Sequence, residues 1–432
     1  MIWDTEAECM DAGERKKLQS ERLVKLVERI YAVPFYKKKM DAAKLKPGDI
    51  KSIDDIVKLP FTDKEELRTT YPYGVLCVPE KEIIEIHQSS GTTGTPIVAE
   101  YTKNDVETWT EAVARSVAGH GITEDDIIQI CQGFGLFTGG LGYYAGYRRL
   151  GAKVIPMGSG NTPQQLKMIQ DFHTTEICCT TTYAMHLAEA AKDAGLDPRK
   201  FSVRHADLGA EPWSEELRKD IEEAWDMKAY DVYGLTEITG PGVSFECLNQ
   251  DGLHINEDLF YPEVVDPDTG EVLPDGKTGE LVFTTLVKEG TPMLRYRTRD
   301  LTGLRHEQCS CGRTLVKMER TMGRTDDMLI IRGTNVYPVQ IEQILFAADG
   351  TAPQYTITID REKTALDNVE IQIEMSEEFF KNSRHNAQHL KKKLEDTLRS
   401  ELKVRMNVTL AEPRTLERFV GKAKRVIDKR KI

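Results

Sequence analysis

Residues 176–232, EICCTTTYAMHLAEAAKDAGLDPRKFSVRHADLGAEPWSEELRKDIEEAWDMKAYDV, alternate short apolar runs with longer, charged amphipathic segments. Their spacing predicts strands and helices in turn, with strands at 176–180, 203–208 and 228–232 and helices at 184–194 and 214–225. Strands that alternate with helices indicate βαβ units and a parallel sheet. A predicted helix over 103–119 and a predicted buried strand over 126–131 begin the same alternation upstream. The stretch therefore predicts an α/β fold.

The pattern changes after Gly240. Turn dipeptides then separate short strands, as is typical of an antiparallel β subdomain; they are Asp251-Gly252, Thr269-Gly270 and Asp275-Gly276. The last hundred residues return to strands and one long charged helix over 383–403, which predicts a small α+β domain. We place the boundary near 325–327, with a large N-terminal domain at 1–325 and a C-terminal domain at 326–432.

Composition excludes several classes of protein. The 432 residues carry a net charge of −12, which disfavours binding to nucleic acid or to a membrane surface through bulk charge. From residue 327 onwards, however, the chain has 19 basic and 16 acidic residues, so the C-terminal part is expected to bind an anion. The first residues lack the apolar region of a signal peptide, and eight cysteines are too sparse for a disulfide scaffold. We therefore expect a cytoplasmic protein.

One segment is typical of a phosphate cradle: Ser89-Ser90-Gly91-Thr92-Thr93-Gly94-Thr95-Pro96. Small side chains let backbone N–H groups approach an anion, and the hydroxyls add further donors. The segment lacks the Gly-Lys-Ser/Thr of a Walker A motif. These residues alone are equally compatible with a flexible loop.

Two further groups lie where strands of an open α/β sheet are predicted to end, which is where such sheets bind ligands. They are Gly209-Ala210-Glu211 and Tyr233-Gly234-Leu235-Thr236-Glu237, whose aromatic ring, hydroxyl and carboxylate suit a base, a phosphate and Mg²⁺. Arg and Asp are concentrated at 296–300 and 323–327, where they suit phosphate and ribose hydroxyls. Ion pairs on solvated turns are the structural alternative for these last two segments.

A possible zinc site is formed by Cys247-x6-His254 and Cys309-x-Cys311-Gly. Thiolate and imidazole are the ligands of tetrahedral zinc. The alternative is four unrelated residues, since 54 positions separate His254 from Cys309 and free cysteines often serve as small apolar side chains. Because Cys309 and Cys311 lie in a polar stretch, we expect zinc, in a structural role.

Taken in order, these segments resemble the phenylacetate–CoA ligase family of the adenylate-forming acyl-CoA synthetases. The resemblance covers nearly the whole chain and rests on SSGTTGTP (89–96), GFGLFTGGLG (133–142), GAEPW (209–213), DVYGLTEITGPG (231–242), YRTRDLT (296–302), GRTDDMLIIRGTNVYP (323–338) and VGKAKRVIDKR (420–430). It implies an ATP-dependent aryl-acid–CoA ligase that forms an acyl-adenylate and releases pyrophosphate and then AMP. The expected substrates are a small aromatic carboxylic acid, ATP and CoA, with Mg²⁺ as cofactor.

The resemblance also implies residue roles. The residues that would hold the β- and γ-phosphates of ATP are Ser90, Gly91, Thr92, Thr93 and Gly94. Thr236 would contact the α-phosphate, and Glu237 would bind Mg²⁺. The residues that would hold the adenine are Gly209, Ala210, Glu211, Asp231, Tyr233 and Gly234. Asp300 would hold the ribose hydroxyls, assisted by Arg324. Lys422 matches the catalytic lysine, and Asp326 matches the hinge of a mobile C-terminal domain.

The glycine-rich loop and a nearby tyrosine are the predicted lining of an aryl pocket: Phe134, Phe137, Gly140 and Tyr183. A leucine at Gly140 is expected to fill the ring site. Two alternatives remain, an adenylating enzyme that loads a carrier protein and a zinc-stabilised nucleotide-binding protein without catalysis. An amphipathic helix predicted over 14–32 suggests a possible homodimer.

Overall fold

The computed structural model describes residues 1–89, 95–332, 334–361, 367–418 and 425–430. The chain divides into two compact units. The first unit comprises Met1–Cys179, Phe201–Ala210 and Lys228–Thr321, and the second comprises Thr180–Lys200, Glu211–Met227 and Met322–Ile432. These units group residues by packing, so the predicted mobile domain at 326–432 stays a prediction.

The helices of the described residues are α1 Thr5–Glu8, α2 Ala12–Ile30, α3 Pro34–Ala42, α4 Lys64–Arg68, α5 Lys103–Gly119, α6 Thr138–Leu150, α7 Thr162–Asp171, α8 Thr181–Asp193, α9 Glu215–Trp225, α10 Pro338–Phe346, α11 Glu377–Ser383 and α12 Ala387–Leu402. The strands of the first unit are β1 Ile83–Gln88, β2 Val98–Thr102, β3 Ile127–Ile130, β4 Lys153–Ile155, β5 Glu176–Cys179, β6 His205–Gly209, β7 Lys228–Leu235, β8 Gly240–Glu246, β9 Leu253–Ile255, β10 Phe260–Val265, β11 Gly279–Thr285, β12 Tyr296–Thr302, β13 Leu304–Arg305 and β14 Lys317–Met318. The strands of the second unit are β15 Leu329–Ile331, β16 Thr334–Val336, β17 Thr351–Asp360, β18 Asn368–Met375, β19 Asn407–Ala411 and β20 Val426–Asp428.

The main sheet of the first unit has the strand order β13-β14-β9-β8-β7-β6-β5-β3-β4. From β4 to β7 all neighbours are parallel, as the alternating pattern predicts, and every residue of β5 is buried. From β7 to β13 all neighbours are antiparallel. The predicted antiparallel region is thus partly an extension of the parallel sheet. A separate antiparallel sheet, β10-β11-β12, forms the rest of it.

Helix α5 occupies the residues that the sequence predicts, because its start is encoded locally. The Asp105 N–H donates to Thr102 Oγ1 (3.1 Å), and the Thr102 N–H donates to the Asp105 carboxylate (2.9 Å). This reciprocal pair satisfies N–H groups that a helix start leaves without partners. It also fixes the direction in which the chain leaves β2.

The apolar face of α2 is buried inside the first unit. Leu23, Leu26, Val27 and Ile30 belong to its hydrophobic core and are at most 4 % exposed. The helix therefore stabilises its own chain, and this face is not available to a second copy. The homodimer stays a prediction without that support.

The second unit contains the four-stranded sheet β19-β18-β17-β20. Buried aliphatic residues of this sheet pack with those of α10 and α12, among them Ile357, Ile371, Ile344 and Leu394. The predicted helix over 383–403 is shorter, because Ser383 ends α11 and a turn at Arg384–Asn386 comes before α12. Asn386 occupies the N-cap of α12.

Candidate functional site

The predicted adenine-binding residues lie where two neighbouring parallel strands end. Leu208 and Gly209 of β6 pair with Asp231 and Val232 of β7. A Cβ atom at Gly209 would lie 2.6 Å from the Val232 carbonyl oxygen, so only glycine fits there. Ala210 follows with a positive φ of 71°, a conformation that costs a non-glycine residue energy.

Tyr233 and Asp300 are in direct contact although 67 positions separate them. The Tyr233 hydroxyl donates a 2.6 Å hydrogen bond to Asp300 Oδ2. Asp300 lies on β12, is 8 % exposed, and receives support from Thr298, whose Oγ1 accepts from the Asp300 N–H. Tyr233, proposed for the adenine base, and Asp300, proposed for the ribose, thus lie side by side.

Asp231 is fixed from two sides. Its N–H donates to the buried Glu246 carboxylate (2.8 Å), and its Oδ2 lies 3.3 Å from Nε of Arg320. The sequence analysis did not single out Arg320, which lies three positions before the GRTDD motif. Only the folded chain identifies it, since no local pattern pairs it with Asp231.

Thr236 and Glu237 lie in the turn between β7 and β8. The Ile238 and Thr239 N–H groups both donate to the Leu235 carbonyl, at 3.1 Å each. The Glu237 side chain is 6 % exposed, and Lys64 Nζ lies 3.4 Å from its Oε1. Lys64 is a second residue that the sequence analysis missed. A carboxylate oxygen is a suitable ligand for Mg²⁺, and the ammonium beside it indicates a position that attracts cations.

The predicted phosphate segment connects β1 to β2, which pair as an antiparallel hairpin. The hairpin continues for one step beyond the strands: the Ser89 N–H donates to the Ile97 carbonyl, and the Ile97 N–H donates to Ser89 Oγ, both at 2.9 Å. Ser90, Gly91, Thr92, Thr93 and Gly94 lie outside the described residues. The structure thus describes the base of this loop.

The loop with the predicted aryl-pocket residues is attached to the same hairpin. The Gln88 N–H donates to the Leu136 carbonyl (3.0 Å), and His87 Nδ1 lies 3.1 Å from that oxygen. Phe134 makes an edge-to-face contact with Tyr144, with ring centroids 6.2 Å apart, and Phe137 is 51 % exposed. An aryl group beside this loop would therefore lie near the phosphate segment.

Gly140 lies in the first turn of α6 and is required by the packing of this helix against the loop before it. A Cβ atom there would lie 2.6 Å from the Gly133 carbonyl oxygen. A leucine at this position would therefore push the loop itself aside before it filled a ring site.

Five predicted residues belong to the second unit. Glu211 accepts hydrogen bonds from Thr181 Oγ1 (2.5 Å) and from the Thr182 N–H (2.8 Å), in the first turn of α8. Arg324 forms a two-pronged ion pair with Asp326, with distances of 2.8 and 3.0 Å. Tyr183 is 1 % exposed. Lys422 lies outside the described residues.

The four predicted zinc ligands come together in the first unit. The ligand atoms of Cys247, His254, Cys309 and Cys311 all lie within 4.8 Å of one another. Sγ of Cys247 is 3.8 Å from Sγ of Cys309, and Sγ of Cys311 is 3.5 Å from Nε2 of His254. The fold thus closes the gap of 54 positions between His254 and Cys309.

The electrostatics of this cluster favour a thiolate. Hydrogen bonds from Cys247, His254 and Arg313 hold the pKa of the Cys311 thiol well below its usual value, although partial burial opposes the shift. The hydrogen bond between Cys247 and Cys311 raises the pKa of the Cys247 thiol, because that thiol acts as the donor. Arg313, itself 1 % exposed, also donates to Glu8 (2.6 Å), which ties the cluster to α1.

Comparison with known proteins gives matches along nearly the whole chain. The model for the AMP-binding enzyme family matches residues 4–286, and that for the C-terminal domain of AMP-binding enzymes matches residues 333–430. The phenylacetate-coenzyme A ligase of Thermus thermophilus is 45% identical over 446 residues, covering 100% of both chains. The phenylacetate-coenzyme A ligase of Escherichia coli is 41% identical over 428 residues, covering 98% of this chain and 97% of that protein.

A solved structure gives a similar result. The crystal structure of 2-hydroxyisobutyryl-CoA ligase in the postadenylation state, in complex with R3-HIB-AMP, matches with a TM-score of 0.93. That protein is 30% identical in sequence, and the match covers 99% of this chain and 92% of that one. Among the helices of the described residues, none has the length and apolarity that a membrane crossing requires.

Proposed function

Because the chain belongs to the AMP-binding family of adenylate-forming enzymes and is an ATP-dependent acid–CoA ligase, we propose that its acid is phenylacetate or a close aryl acid. The observation that carries the nucleotide side of this proposal is the Tyr233–Asp300 contact, which joins the end of β7 to β12. Two observations support an aryl acid as the substrate. The chain is similar to phenylacetate-coenzyme A ligases, and the loop with Phe134 is attached to the β1–β2 hairpin.

The reaction has two steps. In the first, a carboxylate oxygen of the acid bonds to the α-phosphorus of ATP while the bond to pyrophosphate breaks. In the second, the CoA sulfur loses its proton to solvent and bonds to the acyl carbon, and AMP leaves with the electrons of the acyl C–O bond. The acid supplies its own nucleophile, so the enzyme's contribution is alignment and charge stabilisation.

The residues divide this work. Asp231, Tyr233 and Ala210 would hold the adenine and Asp300 the ribose. Thr236 would contact the α-phosphate, the segment at 90–94 would hold the β- and γ-phosphates, and Lys422 would offset the charge that develops. Glu237 fits a magnesium ion, which would neutralise phosphate charge when bound. The basic segment that contains Lys422 would approach the phosphates of ATP only during the first step, with Asp326 as the hinge.

The contact between Tyr233 and Asp300 predicts a specific defect in nucleotide binding. Removal of the hydroxyl in Tyr233→Phe leaves Asp300 without its 2.6 Å donor, which is worth about 0.5–1.5 kcal/mol. We expect KM for ATP to rise by about twofold to tenfold, with KM for the acid unchanged. Steady-state kinetics measure both constants. Tyr261→Phe, a matched change on β10, should leave them as in the wild type; a rise in KM for the acid alone would contradict the assignment.

The aryl pocket predicts a substrate preference. A flat ring loses less rotational freedom on binding than an alkyl chain, and edge-to-face contacts add about 0.5–1.5 kcal/mol each. We expect kcat/KM for phenylacetate to exceed that for acetate, hexanoate and phenylalanine by at least roughly tenfold, about 1.4 kcal/mol. The measurement is AMP release with ATP and CoA for each acid.

A variant separates the pocket from general effects. Phe134→Leu should reduce the ratio between phenylacetate and hexanoate, whereas Phe172→Leu, an exposed phenylalanine beside α7, should not change it. Equal rates with hexanoate and phenylacetate in the wild type would refute the aryl assignment and leave the ligase activity standing.

We also propose that Cys247, His254, Cys309 and Cys311 bind one zinc ion. Two sulfurs at about 2.3 Å from zinc, separated by the tetrahedral angle, lie about 3.8 Å apart, and a sulfur and a nitrogen lie about 3.5 Å apart. These are the separations of the Cys247–Cys309 and Cys311–His254 pairs. Four protein ligands leave no position for substrate, so the ion would be structural.

A further inference from the structure

Lys288 buries an ammonium group inside the first unit. It lies in the connection between β11 and β12 and is 4 % exposed. Its Nζ donates to the Ile238 carbonyl (3.1 Å) and lies 4.4 Å from the centroid of the Tyr101 ring, in a cation–π contact. Burial lowers the pKa of Lys288 to about 8, while Asp105, Glu100 and Glu237 oppose that shift. An ammonium taken out of water at this cost requires compensating contacts.

The carbonyl that Lys288 binds immediately follows Glu237, and the next carbonyl has a buried donor as well. The Tyr101 hydroxyl, on a fully buried side chain, donates to the Thr239 carbonyl (3.0 Å). The two donors contact each other, since the ammonium lies over the Tyr101 ring. Together they hold the backbone of the turn from which the Glu237 side chain projects.

The connection around Lys288 is itself fixed to the first turn of α5 and to β2, the strand that follows the phosphate segment. The Asp105 carboxylate accepts from the Glu289 and Gly290 N–H groups at 2.7 and 2.9 Å. The Glu100 N–H donates to Thr291 Oγ1 (3.2 Å). A Cβ atom at Gly290 would lie 2.3 Å from the Glu100 carbonyl oxygen, so glycine permits this close approach. The connection around Lys288 therefore contacts both the strand that follows the phosphate segment and the turn that carries Glu237.

We propose that Lys288 is a positioning residue that holds the Glu237 carboxylate where it meets the magnesium and phosphates of ATP. This inference rests on the proposed role of Glu237. Lys288 contacts neither substrate nor metal; it acts through the Ile238 carbonyl. A metal ligand displaced by even a fraction of an ångström binds less well, so loss of Lys288 should appear first as a weaker response to Mg²⁺.

The test is Lys288→Met, which keeps most of the length of the side chain and removes its charge. Calorimetry of ATP binding without acid, over a series of Mg²⁺ concentrations, gives the metal's effect on ATP affinity. We expect at least tenfold more Mg²⁺ for the half-maximal effect, with ATP affinity in EDTA within about twofold of wild type. ATP–pyrophosphate exchange with phenylacetate should show the same shift in Mg²⁺ requirement. Because ATP binding needs no acid, failure of the aryl assignment would leave this readout intact.

Two further variants separate positioning from folding. Tyr101→Phe removes only the donor to Thr239 and keeps the ring, so we expect a threefold or larger shift in Mg²⁺ requirement at a nearly unchanged unfolding temperature. Lys317→Met, on an equally buried lysine paired with Asp251 and Glu307, should lower stability without any such shift. An unchanged Mg²⁺ requirement in Tyr101→Phe and in folded Lys288→Met, or an equal shift in Lys317→Met, would overturn the proposal.

Discussion

Lys422→Ala is expected to lower the rate of adenylation by on the order of 10²-fold or more, about 2.7 kcal/mol of transition-state stabilisation. Negative charge accumulates on the oxygen that bridges the α- and β-phosphates as that bond breaks. A lysine at this oxygen stabilises the transition state more than bound ATP, so kcat should fall much more than ATP affinity. ATP–pyrophosphate exchange in the presence of phenylacetate measures this step alone.

The second half-reaction provides the internal control. Thioester formation from supplied phenylacetyl-adenylate and CoA should be nearly unaffected in Lys422→Ala, because that step breaks a different bond. Lys429→Ala, an exposed lysine in the same basic segment, should leave both steps at wild-type rates. If both half-reactions fell equally in Lys422→Ala, the assignment of this lysine to adenylation would be wrong.

Cys311→Ser is expected to destabilise the protein by about 3 kcal/mol or more and to release the metal. A hydroxyl is a poor zinc ligand, and a structural zinc site contributes its binding free energy to folding. For a unit of this size the loss corresponds to a decrease in Tm of about 5 °C or more. Metal analysis of protein purified without chelator should give about one zinc per wild-type chain and much less in the variant.

Cys9→Ser is the matched control for this change. Cys9 Sγ lies 3.5 Å from the Gly312 carbonyl, next to the cluster, but Cys9 is not one of its four members. Its replacement should leave zinc content and Tm close to wild type. At temperatures where Cys311→Ser remains folded, we expect its kcat to stay within about threefold of wild type. A metal-free wild-type protein with undiminished stability would exclude the zinc site.

Local patterns determined much of the fold. The mostly apolar runs of the stretch at 176–232 predict β5, β6 and β7 close to where they lie, because parallel strands buried on both faces favour apolar residues. Thr102 and Asp105 encode the start of α5 three positions apart, so this boundary needs no tertiary information. The family resemblance rests in the same way on short segments whose residue types suit nucleotide chemistry.

The candidate site was predictable only in part. Tyr233 and Asp300 are identifiable from the resemblance, but their hydrogen bond joins strands of two different sheets. The zinc ligands could be proposed from their chemistry, whereas the separations that suit tetrahedral zinc appear only once β9 and the segment at 309–311 are packed together. Lys64 and Arg320 belong to no motif, and their roles depend on the carboxylates that the fold places beside them.

The sequence by itself determined the order of strands and helices, the chemistry of the nucleotide-binding segments and the pairing of residues within a few positions. Tertiary structure alone decided that the apolar face of α2 belongs to the core and that Gly140 accommodates the Gly133 carbonyl. It alone decided that Lys288 supports the turn after Glu237. The physical reason is range: caps and strand patterns act over two to four residues, whereas packing and buried charge depend on atoms brought together from distant parts of the chain.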